Sequence, residues 1–270
     1  MTMDNLFFYL PFSYTYVSRL KSHSKLISWV IIYVIPTIYL AIFLQGTLSV
    51  PNFLLALLGI VLIYNFYETG YIQNDTETVK RELNPTMRLS ENQQAYYETH
   101  KKIIYGVRLL TGVFLSFVFV RLSPLSGTLP FIVAVWSILL IYAVYNKVRN
   151  KLTLTLHALL VIIRFCGLQL LFISTFSPGV FILSLLAFPL INLIERASRF
   201  HVRLAEKLIP QQETIHQFRI VYYGSLCLLM VIPLASGWVQ WAEYLIFVYF
   251  FIYRTGIYLT IYHTGRGLRA

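Results

Sequence analysis

Apolar residues dominate eight stretches of the chain, at about 26–45, 52–69, 103–121, 128–145, 153–174, 178–194, 218–236 and 241–262, with polar residues gathered between them. Each approaches the roughly 20 residues that a helix needs to cross a hydrocarbon core about 30 Å thick. A backbone amide left unpaired in lipid costs several kcal/mol, so such runs are expected to be helices whose hydrogen bonds close within the segment. A membrane barrel would show apolar and polar residues alternating in segments of about ten, a pattern these runs lack. The expected fold is all-α, a polytopic transmembrane helix bundle of about eight spans forming a single domain over residues 1–270.

Ahead of the first stretch, Leu6, Phe7, Phe8, Leu10 and Phe12 precede Arg19, Lys21 and Lys25. A secretory signal has its basic residues first, so this segment is expected to be retained and to lie along the membrane interface.

Basic residues divide the connections into two classes. Those near 46–51, 122–127, 175–177 and 237–240 carry none except Arg121 at one edge. The others hold Lys80, Arg81, Arg88, Lys101 and Lys102, then Lys147, Arg149 and Lys151, then Arg196, Arg199, Arg203 and Lys207. Arg266 and Arg269 close the chain. The positive-inside rule puts this second set and both termini in the cytoplasm, and a bacterial inner membrane is the expected location.

Composition narrows the function classes. The chain is 57% hydrophobic and 12% charged, with a mean hydropathy of +0.67, more than a soluble core of 270 residues requires. A net charge of +11 would suggest nucleic acid in a soluble protein. Here the charge follows topology and the pull of anionic membrane lipids, so no nucleic-acid partner is expected. Cys166 and Cys227 lie in apolar runs without metal-type spacing and read as small core residues.

Two longer connections, at about 70–102 and 195–217, are the places where function is expected, because a chain that only filled a membrane would not need them. The end of the second stretch and the start of the first of these connections hold Glu68, Asp75, Glu77 and Glu82 within 15 residues, four of the eleven acidic residues. Glu68, Asp75 and Glu82 are seven apart, which on a helix returns each to within about 20° of the last unless Gly70 interrupts it. Carboxylates on one face beside Lys80, Arg81 and Arg88 suit a divalent cation bridging to a phosphorylated lipid. The alternative is a solvated loop whose charges pair with one another.

These residues resemble the UbiA superfamily of intramembrane prenyltransferases, which carry an Asn-x-x-x-Asp-x-x-x-Asp pattern after the second span and then an Arg-Pro-Leu-like segment. Asn74-Asp75 stands at the start, Thr78 occupies the first Asp position and Glu82 the second, and Asn84-Pro85-Thr86-Met87-Arg88-Leu89 is similar to the Arg-Pro-Leu-like segment. Tyr145-Asn146-Lys147 resembles a family segment after span four. After span six, Glu195 is followed by Arg199 where the family has a second carboxylate, and eight spans stand against the family's nine. The resemblance implies a transferase acting on an isoprenoid diphosphate or polyprenyl phosphate. Asp75, Glu77 and Glu82 would be catalytic, Glu68, Asp75 and Glu82 would hold Mg²⁺, and Asn74, Arg81, Arg88, Lys147, Arg164 and Arg199 would bind substrate. A non-catalytic lipid-phosphate binder or scaffold for other membrane enzymes, and a small transporter, stand beside that reading.

Arg196, Arg199 and Arg203 share a helical face that suits either a phosphate headgroup or attachment to anionic lipid. Arg108, Arg164 and Arg254 fall inside spans, where a charge costs at least about 2.5 kcal/mol, so Arg164 should face the interior toward a partner such as Gln169 or Asn192. His201 and His216 lack metal-site spacing, and no nucleophile elbow, phosphate loop or dinucleotide fingerprint occurs.

Overall fold

The computed structural model describes residues 3–81, 85–123, 126–148, 150–211 and 214–264, and no strand occurs among them. Eight helices are long and apolar enough to cross a membrane: His23–Phe43, Val50–Arg81, Glu91–Leu122, Thr128–Tyr145, Leu152–Thr175, Pro178–Arg199, Ile215–Ala235 and Trp241–Tyr262, here the first to eighth spans. This is the all-α polytopic bundle that the apolar runs predict. The chain divides into two compact units, Met1–Phe176 with five spans and Ser177–Ala270 with three.

The boundaries of the first long connection differ from expectation. The second span continues through residue 81 and the third starts at 91, so most of 70–102 is helix rather than loop. Gln, Glu, Lys and Arg recur in that region, good helix formers that a hydropathy reading scores as polar. Ser90 starts the third span with a capping box, its hydroxyl accepting from the amide of Gln93 while the Gln93 side chain accepts from the amide of Ser90. Gly70 does not interrupt the second span; a Cβ there would meet the Tyr142 ring of the fourth. The expected loop 195–217 likewise contains a short helix, Arg203–Leu208.

Within the first unit the second span is central, with more than half of its apolar window buried, and it packs on the third and fourth spans. Its last turns widen to π geometry over Asn74–Thr78. The fifth span narrows to 3₁₀ geometry over Gly167–Thr175, with Phe172 outside helical angles. In the second unit, Pro189 breaks the sixth span at Phe188, because proline removes a donor and clashes with the preceding turn.

The N-terminal segment does more than lie along an interface. Its short helical turns (Met3–Phe8, Ser13–Thr15, Tyr16–Leu20) bury Phe7, Phe8 and Tyr14 against Ile72, Leu89, Tyr97 and Ile104.

Two glycines give opposite predictions. At Gly127 an added Cβ would strike the backbone carbonyls of Leu170 and Leu171, which no rotamer change can move aside, whereas at Gly106 it would meet nothing within 4 Å. Gly127→Ala is expected to lower stability by about 1–3 kcal/mol. Gly106→Ala, inside the third span, is expected to be neutral or to gain up to about 1 kcal/mol. Unfolding in detergent measures both, and a Gly127→Ala chain as stable as wild type would contradict this packing.

Candidate functional site

The carboxylates of the second span point to different partners rather than to one centre. Glu68 is fully buried; one oxygen accepts from the Thr15 amide at 2.6 Å and the other lies 3.0 Å from Arg108 Nη1. Arg108, also fully buried, donates from Nε to the Phe8 carbonyl at 2.8 Å and from Nη2 to the Leu10 carbonyl at 3.1 Å. The pair thus fixes the N-terminal segment to the second and third spans, in keeping with the rule that buried charge must be paired.

Asp75 is a hub. Arg19 grips it in bidentate fashion, Nη1 to Oδ2 at 2.7 Å and Nη2 to Oδ1 at 3.1 Å, and the Tyr14 hydroxyl donates to Oδ2 at 3.0 Å. Asn74 donates to Oδ1 at 3.2 Å, and Arg88 Nε lies 3.7 Å from the same oxygen. Burial and then the Asp75 charge push the Tyr14 hydroxyl well above the ordinary tyrosine range, which holds it as a donor. Burial alone would weaken the charge on Arg19; its hydrogen bonds to Asp75 outweigh that and raise it above the usual arginine value.

The expected Mg²⁺ set is not assembled by the described carboxylates. Both oxygens of Asp75 and of Glu68 face guanidinium, amide or hydroxyl donors, and Glu77 accepts from the Tyr97 hydroxyl at 2.6 Å. No group of three His, Cys, Asp or Glu among the described residues is arranged to hold a metal ion. Glu68 and Asp75 both turn to the N-terminal segment, Glu68 to Thr15 and Asp75 to Tyr14 and Arg19, and donors from that segment take up their oxygens. Glu82 lies outside the described residues. The donor set around Asp75 suits an anion-bearing partner better than a hard cation, which needs free oxygen ligands.

Beside this hub stands Arg164 of the fifth span. Its Nη2 donates to the Tyr64 hydroxyl and its Nη1 to the Tyr71 hydroxyl at 3.4 Å, so tyrosines of the second span stand where an amide partner was expected. Its Cζ lies 4.7 Å from the Tyr33 ring centre, 5.0 Å from Tyr64 and 5.2 Å from Tyr67. Arg164 Nε has no hydrogen-bond partner, and no carboxylate pairs with Arg164 among the described residues. Aromatic faces stabilise a cation through their quadrupoles and leave its charge uncancelled. Tyr71 joins the two clusters, because Arg19 Cζ sits 4.2 Å over its ring. Arg19 and Arg88 therefore share one carboxylate, Asp75, and Tyr71 links Arg19 to Arg164.

A cavity of about 290 Å³ adjoins this cluster, lined by Phe12, Tyr16, Leu20, Leu26 and Trp29 with Ser13 and Thr15. Phe12 stacks on Tyr64 at 5.0 Å, and Trp29 Nε1 donates to the Tyr64 hydroxyl at 2.6 Å. An apolar chamber therefore adjoins the hydroxyl that Arg164 contacts.

Of the other predicted binding residues, Asn74 and Arg88 are at the hub, whereas Arg81 and Lys147 are exposed. Asn146, next to Lys147, ties the fourth span to the second by donating to Gln73 Oε1 at 2.9 Å and the Gly70 carbonyl at 3.3 Å. Arg199 belongs to the second unit and is exposed. There Glu195 is held by Arg219 through contacts of 2.7 and 2.8 Å. Tyr14, Arg19 and the tyrosines around Arg164 were not singled out by the sequence. Compared with family models, curated proteins and solved structures, the chain gives no match.

Proposed function

We propose that the first unit binds the phosphate or diphosphate end of an isoprenoid or polyprenyl lipid, from the cytoplasmic face of a bacterial inner membrane. The observation that carries this reading is Arg164, a guanidinium inside a span with a ring of tyrosines and no carboxylate partner among the described residues. A cation so placed is stabilised by an anion that arrives with its own apolar tail. Arg19 and Arg88 add donors beside it, and the Phe12–Trp29 cavity offers apolar walls to the first prenyl units. The basic pattern of the connections supports the cytoplasmic orientation.

Transfer of the prenyl group is a second reading of the same site, favoured by the Asn74-Asp75 motif at the hub. In that reading Arg19, Arg88 and Arg164 would neutralise the charge left on a departing diphosphate. A non-catalytic binder that serves other membrane enzymes uses the same groups without turnover.

The test is thermal unfolding of the purified protein with undecaprenyl phosphate or farnesyl diphosphate, each with Mg²⁺ and with EDTA. The expected result is stabilisation that survives EDTA and is lost in Arg164→Gln, with affinity falling roughly tenfold or more. Pyrophosphate release from farnesyl diphosphate separates transfer from binding. Stabilisation that Arg164→Gln leaves intact would remove the basis for the proposal.

A further inference from the structure

The second unit holds a buried cation that its own packing leaves unanswered. Arg254, in the eighth span, is only 9% exposed, and its Nε makes no hydrogen bond. No hydrogen bond or ion pair joins it to any other described residue, and the Tyr253 ring lies 5.6 Å from its Cζ. A guanidinium left this way inside a membrane helix is costly, and buried donors are otherwise almost always satisfied.

The seventh and eighth spans pack together, and the fit between them sets the level of this residue. Tyr223 stacks on Phe250 at 5.0 Å, and its hydroxyl donates to the Ala187 carbonyl at 2.7 Å, just before the break in the sixth span. One turn from that stack, Arg219 precedes Tyr223 on its helix and Arg254 follows Phe250 on the other. Arg254 is accordingly within electrostatic range of Arg219, Glu195 and Tyr223, and His216 is within range of Arg219, Arg254 and Glu195. Arg219 holds both oxygens of Glu195, so that carboxylate is already taken up while Arg254 and His216 lie within electrostatic range of the pair.

We propose that this cluster is an anion site within the second unit, in which a phosphate group bonds Arg254 with Arg219 and His216 beside it. The phosphate belongs to an anionic phospholipid headgroup or to free phosphate. Its oxygens would supply the acceptors that Arg254 lacks, and guanidinium forks match that geometry. The site uses residues of the sixth, seventh and eighth spans only and does not depend on the reading of Arg164.

The experiment compares wild type, Arg254→Met and Arg164→Gln in phosphatidylcholine nanodiscs, with and without 20 mol% phosphatidic acid, and separately with inorganic phosphate. Wild type is expected to gain several degrees in its unfolding midpoint with phosphatidic acid, phosphate or both, and the responding probe identifies the source. Arg254→Met is expected to lose that gain while unfolding no earlier than wild type in pure phosphatidylcholine, because an apolar side chain replaces an unpaired charge. Arg164→Gln is expected to keep at least the Arg254-dependent part of the gain. Three results would overturn the proposal: no gain in wild type, a lower midpoint for Arg254→Met in neutral lipid, or a gain that disappears only in Arg164→Gln.

Discussion

Arg108→Ala is expected to remove about 3–5 kcal/mol of stability, the usual consequence of stripping one partner from a buried ion pair. Glu68 would be left fully buried with only the Thr15 amide, the Phe8 carbonyl would lose its donor, and the Leu10 carbonyl would keep only its contacts to Ser13. The effect should be concentrated at the N terminus, because those carbonyls and that amide belong to one segment. Trypsin would then cleave after Arg19, Lys21 or Lys25 before it attacks the spans, and mass spectrometry of early fragments would show the order. The double variant Glu68→Leu with Arg108→Met should recover part of the loss, since matched apolar groups leave no orphaned charge, although the Phe8 carbonyl still lacks a partner. If Arg108→Ala unfolds within about 1 kcal/mol of wild type with unchanged cleavage, the pair does not anchor the segment.

That anchoring shows how local and distant information divide in this chain. The eight spans are readable because apolar length is a local property set by bilayer thickness. Their true ends are less so, since residues 70–81 and 91–102 continue the second and third helices with polar side chains. The Ser90 to Gln93 capping box is a sequence signature that would have marked the start of the third. Asp75 stands out by composition, and the need of Arg164 for partners follows from the energy of a charge in lipid. The partners themselves are hidden. Tyr14 and Arg19 reach Asp75 across 61 and 56 residues, and no periodicity encodes such contacts. Nothing in the spacing of Tyr33, Tyr64, Tyr67 and Tyr71 marks them as neighbours of Arg164, whereas the seven-residue spacing does bring Glu68 and Asp75 to the same N-terminal segment.

Substituting Asp75 separates the two readings of the first unit by the sign of the effect. If Asp75 is a metal ligand, Asp75→Asn weakens diphosphate binding and abolishes any dependence on Mg²⁺. In the observed arrangement, Asp75 is the one carboxylate among the described residues that holds Arg19 and lies near Arg88, in competition with an incoming phosphate for the same donors. Asp75→Asn should therefore bind undecaprenyl phosphate about as tightly as wild type or more tightly, and indifferently to Mg²⁺. The unliganded protein should meanwhile lose about 3 kcal/mol, because Arg19, only 19% exposed, is left without its counter-charge. A lipid phosphate would restore much of that loss, so the ligand-induced rise in unfolding midpoint should be larger in the variant than in wild type. A smaller rise, or one that appears only with Mg²⁺ in wild type and never in the variant, would return Asp75 to a metal-binding role. Arg19, Tyr14 and Asn74 together give the two oxygens of Asp75 four hydrogen bonds, about as many as a carboxylate accepts, so a cation would have to displace donors that a phosphate would instead share.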